Sequence, residues 1–202
     1  MINFLITNSL NDDKLKKFQN HRSFYNFQIA YNGKCNIWEK NKNELFIFFG
    51  KINEKLVKKN LEDPKKSKFI EGSFIVLKIY KNKILDLWTD KFSKEDVFYT
   101  FKNNHYYIST LLENLYVNVE KNGYDKFGIS QSLIIYGNRP SKKNTFYKNV
   151  KRLGYYEVLN ISNKKIKIKN LDLDLVNTEN YQKSHINRYF DIFIETLEKN
   201  SS

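Results

Sequence analysis

Few residue types in this chain could carry catalytic or metal chemistry, and their spacing argues against both. The three histidines, His21, His105 and His185, stand far apart and none has ligand spacing to another, so they read as surface or core-edge residues. Cys35 is the one cysteine. Alone it can form neither an intramolecular disulfide nor a cysteine-built metal site, and a buried, inert thiol is the expectation. Asp172 and Asp174 alternate with leucine, as on a solvent-facing strand edge, and do not form a carboxylate pair. The seven glycines are scattered, and no phosphate-cradling loop is spelled out. Asp90, at the end of a strand pattern, reads by itself as a turn or cap residue. No catalytic residue, no metal ligand set and no cofactor is expected.

The formal net charge of +13 raises the question of a polyanionic partner. Only Arg22, Arg139, Arg152 and Arg188 are arginines, and the remaining basic residues are lysine. Bidentate contacts to phosphate and guanine favour arginine. The lysines are mixed with acids along the whole length, and the runs Lys14–Lys17 and Lys164–Lys169 read as solvated faces. A basic nucleic-acid-binding protein, using Lys and Tyr/Phe faces, is therefore the alternative reading and not the first. No stretch approaches the ~20 apolar residues that span a bilayer, and the short apolar start lacks a basic leader region. A soluble, cytoplasmic protein with no membrane partner is the expectation. At 202 residues, 41% hydrophobic, the chain can fill one core.

The elements that would position any site are mostly strands. Residues 2–7 read as the first, followed by a polar loop over 8–22. Phe24–Ala30 and Cys35–Glu39 look like a hairpin around Tyr31-Asn32-Gly33-Lys34, since Asn-Gly supplies positive φ. Glu44–Phe49 is a continuous apolar run, as in a strand buried on both faces, with Gly50 as its end. A helix is expected over 53–61, capped by Asn53 and broken at Asp63-Pro64. Further hairpins are expected at 73–80/83–89, 97–102/105–110 and 155–161/164–168, and another strand at 115–119. Helical spacing predicts helices over 123–137 and 145–152. The strongest helical stripe lies in 180–199, after a linker-like stretch. The domain reading is 1–170 as one domain, then 171–202 as linker and C-terminal amphipathic helix. No βαβ rhythm exists, so antiparallel sheets with covering helices follow.

The pieces come in a telling order: Phe49-Gly50-Lys51-Ile52-Asn53, Gly72-Ser73-Phe74-Ile75, Thr89-Asp90-Lys91-Phe92-Ser93 through Phe98-Tyr99, then Thr145-Phe146 through Leu153-Gly154 and Glu157-Val158-Leu159. This order resembles the N-terminal glutaminase-like domain of the asparagine synthetase and beta-lactam synthetase family. The resemblance implies an α+β fold, an Ntn-hydrolase-like four-layer sandwich with two stacked antiparallel sheets and outer helices. It also implies a link to asparagine synthase, the glutamine-hydrolysing enzyme.

The departures decide what activity the resemblance can carry. In that fold a cysteine at the new amino end attacks glutamine, with its own α-amino group as base. Here Ile2 follows Met1. The family's Arg-Gly-Pro-Asp segment has no counterpart, and its Asn-Gly-Glu is replaced by Phe49-Gly50-Lys51. Phenylalanine cannot donate to an oxyanion, and lysine reverses the charge meant for an ammonium. The resemblance leaves Asp90, Gly50 and Asn53 as a vestigial substrate-binding set. The ATP-binding Ser-Gly-Gly-x-Asp-Ser loop of the synthetase half is absent from the sequence. The resulting expectation is a catalytically inactive, glutamine-amidotransferase-like pseudoenzyme. It would support an ATP-dependent amide-forming synthetase domain or subunit, through the helix 180–199.

Overall fold

The run Leu45-Phe46-Ile47-Phe48-Phe49 is apolar at every position because both faces of its strand are covered. Leu45, Ile47 and Phe49 face a core between two sheets, whereas Phe46 and Phe48 face a second cluster on the other side. The computed structural model describes residues 2–9, 12–52, 58–102, 105–115, 123–134, 143–162 and 165–171. All lie in the unit Met1–Leu171.

Those residues form two antiparallel sheets of six strands each. The first contains β1 (Asn3–Thr7), β2 (Asn20–Phe24), β3 (Phe27–Asn32), β8 (Phe98–Lys102), β9 (His105–Ser109) and β10 (Lys151–Arg152), in the order β10-β8-β9-β1-β3-β2. The second contains β4 (Asn36–Asn41), β5 (Glu44–Ile52), β6 (Gly72–Tyr80), β7 (Ile84–Thr89), β11 (Glu157–Ser162) and β12 (Lys165–Asn170), in the order β12-β11-β7-β6-β5-β4. Three described α-helices accompany them, α1 (Lys58–Leu61), α2 (Pro64–Ser67) and α3 (Lys126–Ile134), with two single-turn 3-10 helices at Leu15–Lys17 and Leu112–Asn114.

The sheets share one apolar cluster. Phe4, Ile6, Phe27, Ile29 and Ile108 of the first meet Ile47, Phe49, Ile75, Leu77 and Leu87 of the second. Phe4 stacks on Phe49 with ring centroids 5.2 Å apart, and Tyr31 meets the same ring edge-on at 5.5 Å. Each outer face carries its own cluster. On the second sheet, Trp38, Phe46, Phe74 and Trp88 pack with Leu61 of α1 and Ile70 beyond α2. On the first, Leu5, Ala30 and Tyr107 pack with Phe18, Leu115, Tyr147 and Val150. Burying each leucine, isoleucine, valine or phenylalanine among them contributes about 1.5–3 kcal/mol.

The hairpins at 73–80/83–89 and 97–102/105–110 fold as their sequence reads, as β6–β7 and β8–β9. The hairpin expected at 155–161/164–168 forms as β11–β12, shifted by about two residues toward the C-terminus. The break at Asp63-Pro64 also stands. Asp63 caps α2 by accepting the Lys65 N–H at 2.8 Å.

Other expectations are corrected. Residues 24–30 and 35–39 are not a hairpin. β3 pairs with β1 and β2, while β4 pairs with β5, so Gly33 (φ +83°) sits on a crossover between the sheets. The real hairpin is β2–β3, and the last three residues of the polar stretch read as loop, Asn20 to Arg22, belong to its first strand. That strand is an exposed edge, so it lacks the apolar face that would reveal it. Residues 145–152 are not helical. The Thr145 hydroxyl donates to Val150 O at 2.8 Å and accepts from Tyr147 N at 3.1 Å, and 151–152 join β8. α3 begins not at 123 but at Lys126, where Asp125 accepts from the Phe127 and Gly128 N–H groups, and residues 135–137 of the expected helix lie outside the described residues. Asn53, most of the 115–119 strand, and the linker and helix of 172–202 lie outside the described residues.

Candidate functional site

Gly50 does not end its strand. β5 continues to Ile52, and Gly50 pairs with Phe74 at φ +121°. A Cβ there would sit 2.2 Å from the Ser73 carbonyl oxygen, and one at Gly72 would sit 2.5 Å from the Lys51 carbonyl oxygen. Only glycine permits that backbone approach. The two glycines pinch β5 against β6 and hold Lys51 opposite Ser73.

Beside this pinch lies a cleft of about 440 Å³. Ile2, at the entry to β1, and Phe49 give it an apolar part. The crossover contributes Asn32, Gly33 and Lys34, the pinch contributes Gly50, Lys51 and Ser73, and Glu95 completes the lining. The Ser73 hydroxyl donates to Glu95 Oε1 at 3.1 Å. Asn32 Oδ1 accepts the Gln19 N–H at 2.9 Å. Among the described residues, Lys34 and Lys51 enter no ion pair.

Asp90 does not line this cleft. It is 1% exposed, and its carboxylate accepts the N–H groups of Phe92 at 3.0 Å and Lys94 at 3.2 Å. Its backbone N–H donates to Phe74 O at 3.1 Å. Lys68, 2% exposed, drives its ammonium into the same turn, donating to Thr89 O at 2.8 Å and Asp90 O at 3.3 Å. Burial pushes the Lys68 amine down to about 8, and the Asp90 carboxylate partly restores it. Ser93 closes the knot, 2.9 Å from the Thr89 hydroxyl. A small hollow of about 130 Å³ lies outside the turn.

Of the vestigial set, Gly50 therefore stands in the cleft, Asp90 stands in a separate turn, and Asn53 lies outside the described residues. Cys35 is half-buried against the inter-sheet core. His21 Nε2 lies 2.9 Å from Phe18 O, and His105 is exposed at the start of β9. Among the described residues no group of three or more His, Cys, Asp and Glu side chains is placed to hold a metal ion. Nor is any described helix long and apolar enough to cross a membrane.

A wider hollow, about 530 Å³, lies where the β4–β5 and β6–β7 hairpins turn. It is lined by asparagines, Glu44, Tyr80 and Lys81. Its acid is already engaged, since Glu44 pairs with Lys78 at 2.7 Å, and Lys78 also sits 4.5 Å from the Tyr80 ring centroid. The Ile2 cleft has more chemistry to offer because its cations are not so engaged.

Sequence reading missed Asn32, Lys34, Ser73 and Glu95 as cleft residues. The usable signal was glycine at both Gly50 and Gly72 within strand patterns, which marks close backbone approach. No family model matches the chain, and no curated protein matches it.

Proposed function

We propose that this chain is a catalytically silent, glutaminase-like domain of the asparagine synthetase type, acting in the cytoplasm as structural support for an ATP-dependent amide-forming synthetase. The observation that carries the reading is the meeting of Ile2 with Phe49, Gly50 and Lys51 in one cleft, although 47 to 49 residues separate them. The family resemblance requires that juxtaposition of an N-terminal nucleophile position with the Asn-Gly-Glu position. The paired antiparallel sheets and the clusters on both outer faces agree with a four-layer Ntn-type sandwich.

The same cleft lacks the means of hydrolysis. Isoleucine at position 2 offers no nucleophilic atom. Phe49 offers no side-chain donor to an oxyanion, and Lys51 repels a substrate ammonium. Among the described residues Ser73 is the one hydroxyl in the cleft lining, it donates to a carboxylate, and no histidine stands in that lining to take its proton. Supporting a synthetase needs no such chemistry, only a stable surface.

Incubation with glutamine tests the silent half of the reading. No ammonia or glutamate above the blank is expected, and release proportional to protein concentration overturns it. The supporting role is tested by adding the chain to a synthetase that uses free ammonia. Higher amide yield with ammonia, and none with glutamine, is expected.

A further inference from the structure

We propose that the Ile2 cleft binds a small organic dicarboxylate through Lys34 and Lys51. The two lysines come from separate segments, the crossover after β3 and the last residues of β5, yet they line the same cleft. Neither is neutralised by an acid among the described residues. Among the described lining residues Glu95 is the one acid, so two lysines stand against one carboxylate, which also accepts the Ser73 hydroxyl. The cleft thus holds an excess of positive charge beside low-dielectric walls, which concentrates anions. Two separate ammonium groups match two carboxylates better than one. Ile2 and Phe49 can cover a short hydrocarbon body, and about 440 Å³ lies within the size range of small-molecule pockets. A purely cationic ligand meets two lysines against one glutamate, so the charge excess selects against it.

The proposal rests on the reading of this cleft as a glutaminase site stripped of its chemistry, but the two fail separately. Ammonia release from glutamine overturns that reading alone, and a failed titration overturns this one alone. Succinate is the probe, titrated at constant ionic strength into isotope-labelled full chain and followed by amide chemical shifts. Saturating shifts at Gly33, Gly50, Lys51 and Ser73 are expected, with Kd of about 1 mM or tighter. The amides of residues 90–94 should stay still. Succinamide, the same body without charge, should leave all of them unmoved. Lys34→Gln and Lys51→Gln should each weaken binding about tenfold, equivalent to about 1.4 kcal/mol. Both side chains are exposed, and the variants' spectra report directly on their fold. Absence of saturation, equal shifts with succinamide, unchanged affinity in the double variant, or equal competition by sulfate would each overturn the proposal.

Discussion

The Ile2 cleft and the Asp90 turn lie at neighbouring points of β6, yet they spend their polar groups in opposite ways. Ser73 lines the cleft, while the next residue, Phe74, accepts the Asp90 N–H. In the turn, the Asp90 carboxylate, the Lys68 ammonium and the Thr89 and Ser93 hydroxyls all bond to the chain itself. In the cleft, two lysines remain without an ionic partner among the described residues. A charged group bound entirely by its own chain stabilises the fold and has little left for a ligand. Asp90, which the resemblance singled out, does structural work, whereas Lys34, which it did not, stands in the cleft.

Gly50→Ala should produce the largest effect of the changes that sharpen this contrast. The added Cβ would overlap the Ser73 carbonyl at a positive-φ position, costing at least about 3 kcal/mol. Denaturant unfolding would show it, and a variant as stable as the parent would break the pinch account of the cleft. Asp90→Ala should cost about 1 to 2 kcal/mol, because it strands the partly buried N–H groups of the turn. In the same variant succinate affinity should stay unchanged, and a loss of affinity with retained stability would mean the two regions are one site.

Lys68 supplies the next test, a pH profile. Its amine titrates at about 8 in the folded chain against an ordinary value of 10.5. Below pH 8 both states carry the proton and the contribution is flat. Between these values the unfolded chain holds a proton that the folded chain has released, so stability rises with pH. The rise cannot exceed about 1.4 kcal/mol per pH unit for one proton. Subtracting the profile of Lys68→Met isolates it from the tyrosines Tyr99 and Tyr106, whose hydroxyls burial holds above their ordinary range. A difference profile flat from pH 8 to 10 would show that the ammonium is not buried as described. Ser73→Ala should have the smallest effect, under about 1 kcal/mol, since it removes one half-buried hydrogen bond. A larger loss would move Ser73 from the cleft side of the comparison to the structural side.

Much of the fold was readable because its signals are local. Phe46 and Phe48 alternate with Leu45 and Ile47, and an apolar run of that kind reports two covered faces whatever the partner strands are. The hairpins with two- or three-residue turns declared themselves for the same reason. The hairpin assigned across Asn32-Gly33 failed because Asn-Gly sets a local φ and not the identity of the next neighbour. The chain turns there and then leaves for the other sheet. Residues 145–152 failed because a threonine oxygen caps a helix and closes a compact turn through similar contacts. The candidate site was less readable than the fold. Gly50 reads as a punctuation mark, whereas Ser73, whose carbonyl it approaches, and the crossover residues carry no separate signal.

By itself the sequence determined the strand-rich, antiparallel class, the two-faced burial of β5 and the chemistry that Ile2, Phe49 and Lys51 cannot perform. Each of these follows from side-chain type and short-range periodicity, which act over a few residues. The tertiary structure alone decided which sheet each strand joins, that Lys34 and Lys51 share a cleft, and that Asp90 belongs to a closed turn. Those are contacts between distant segments, and they depend on how the two sheets pack as a whole, a quantity that no local pattern encodes.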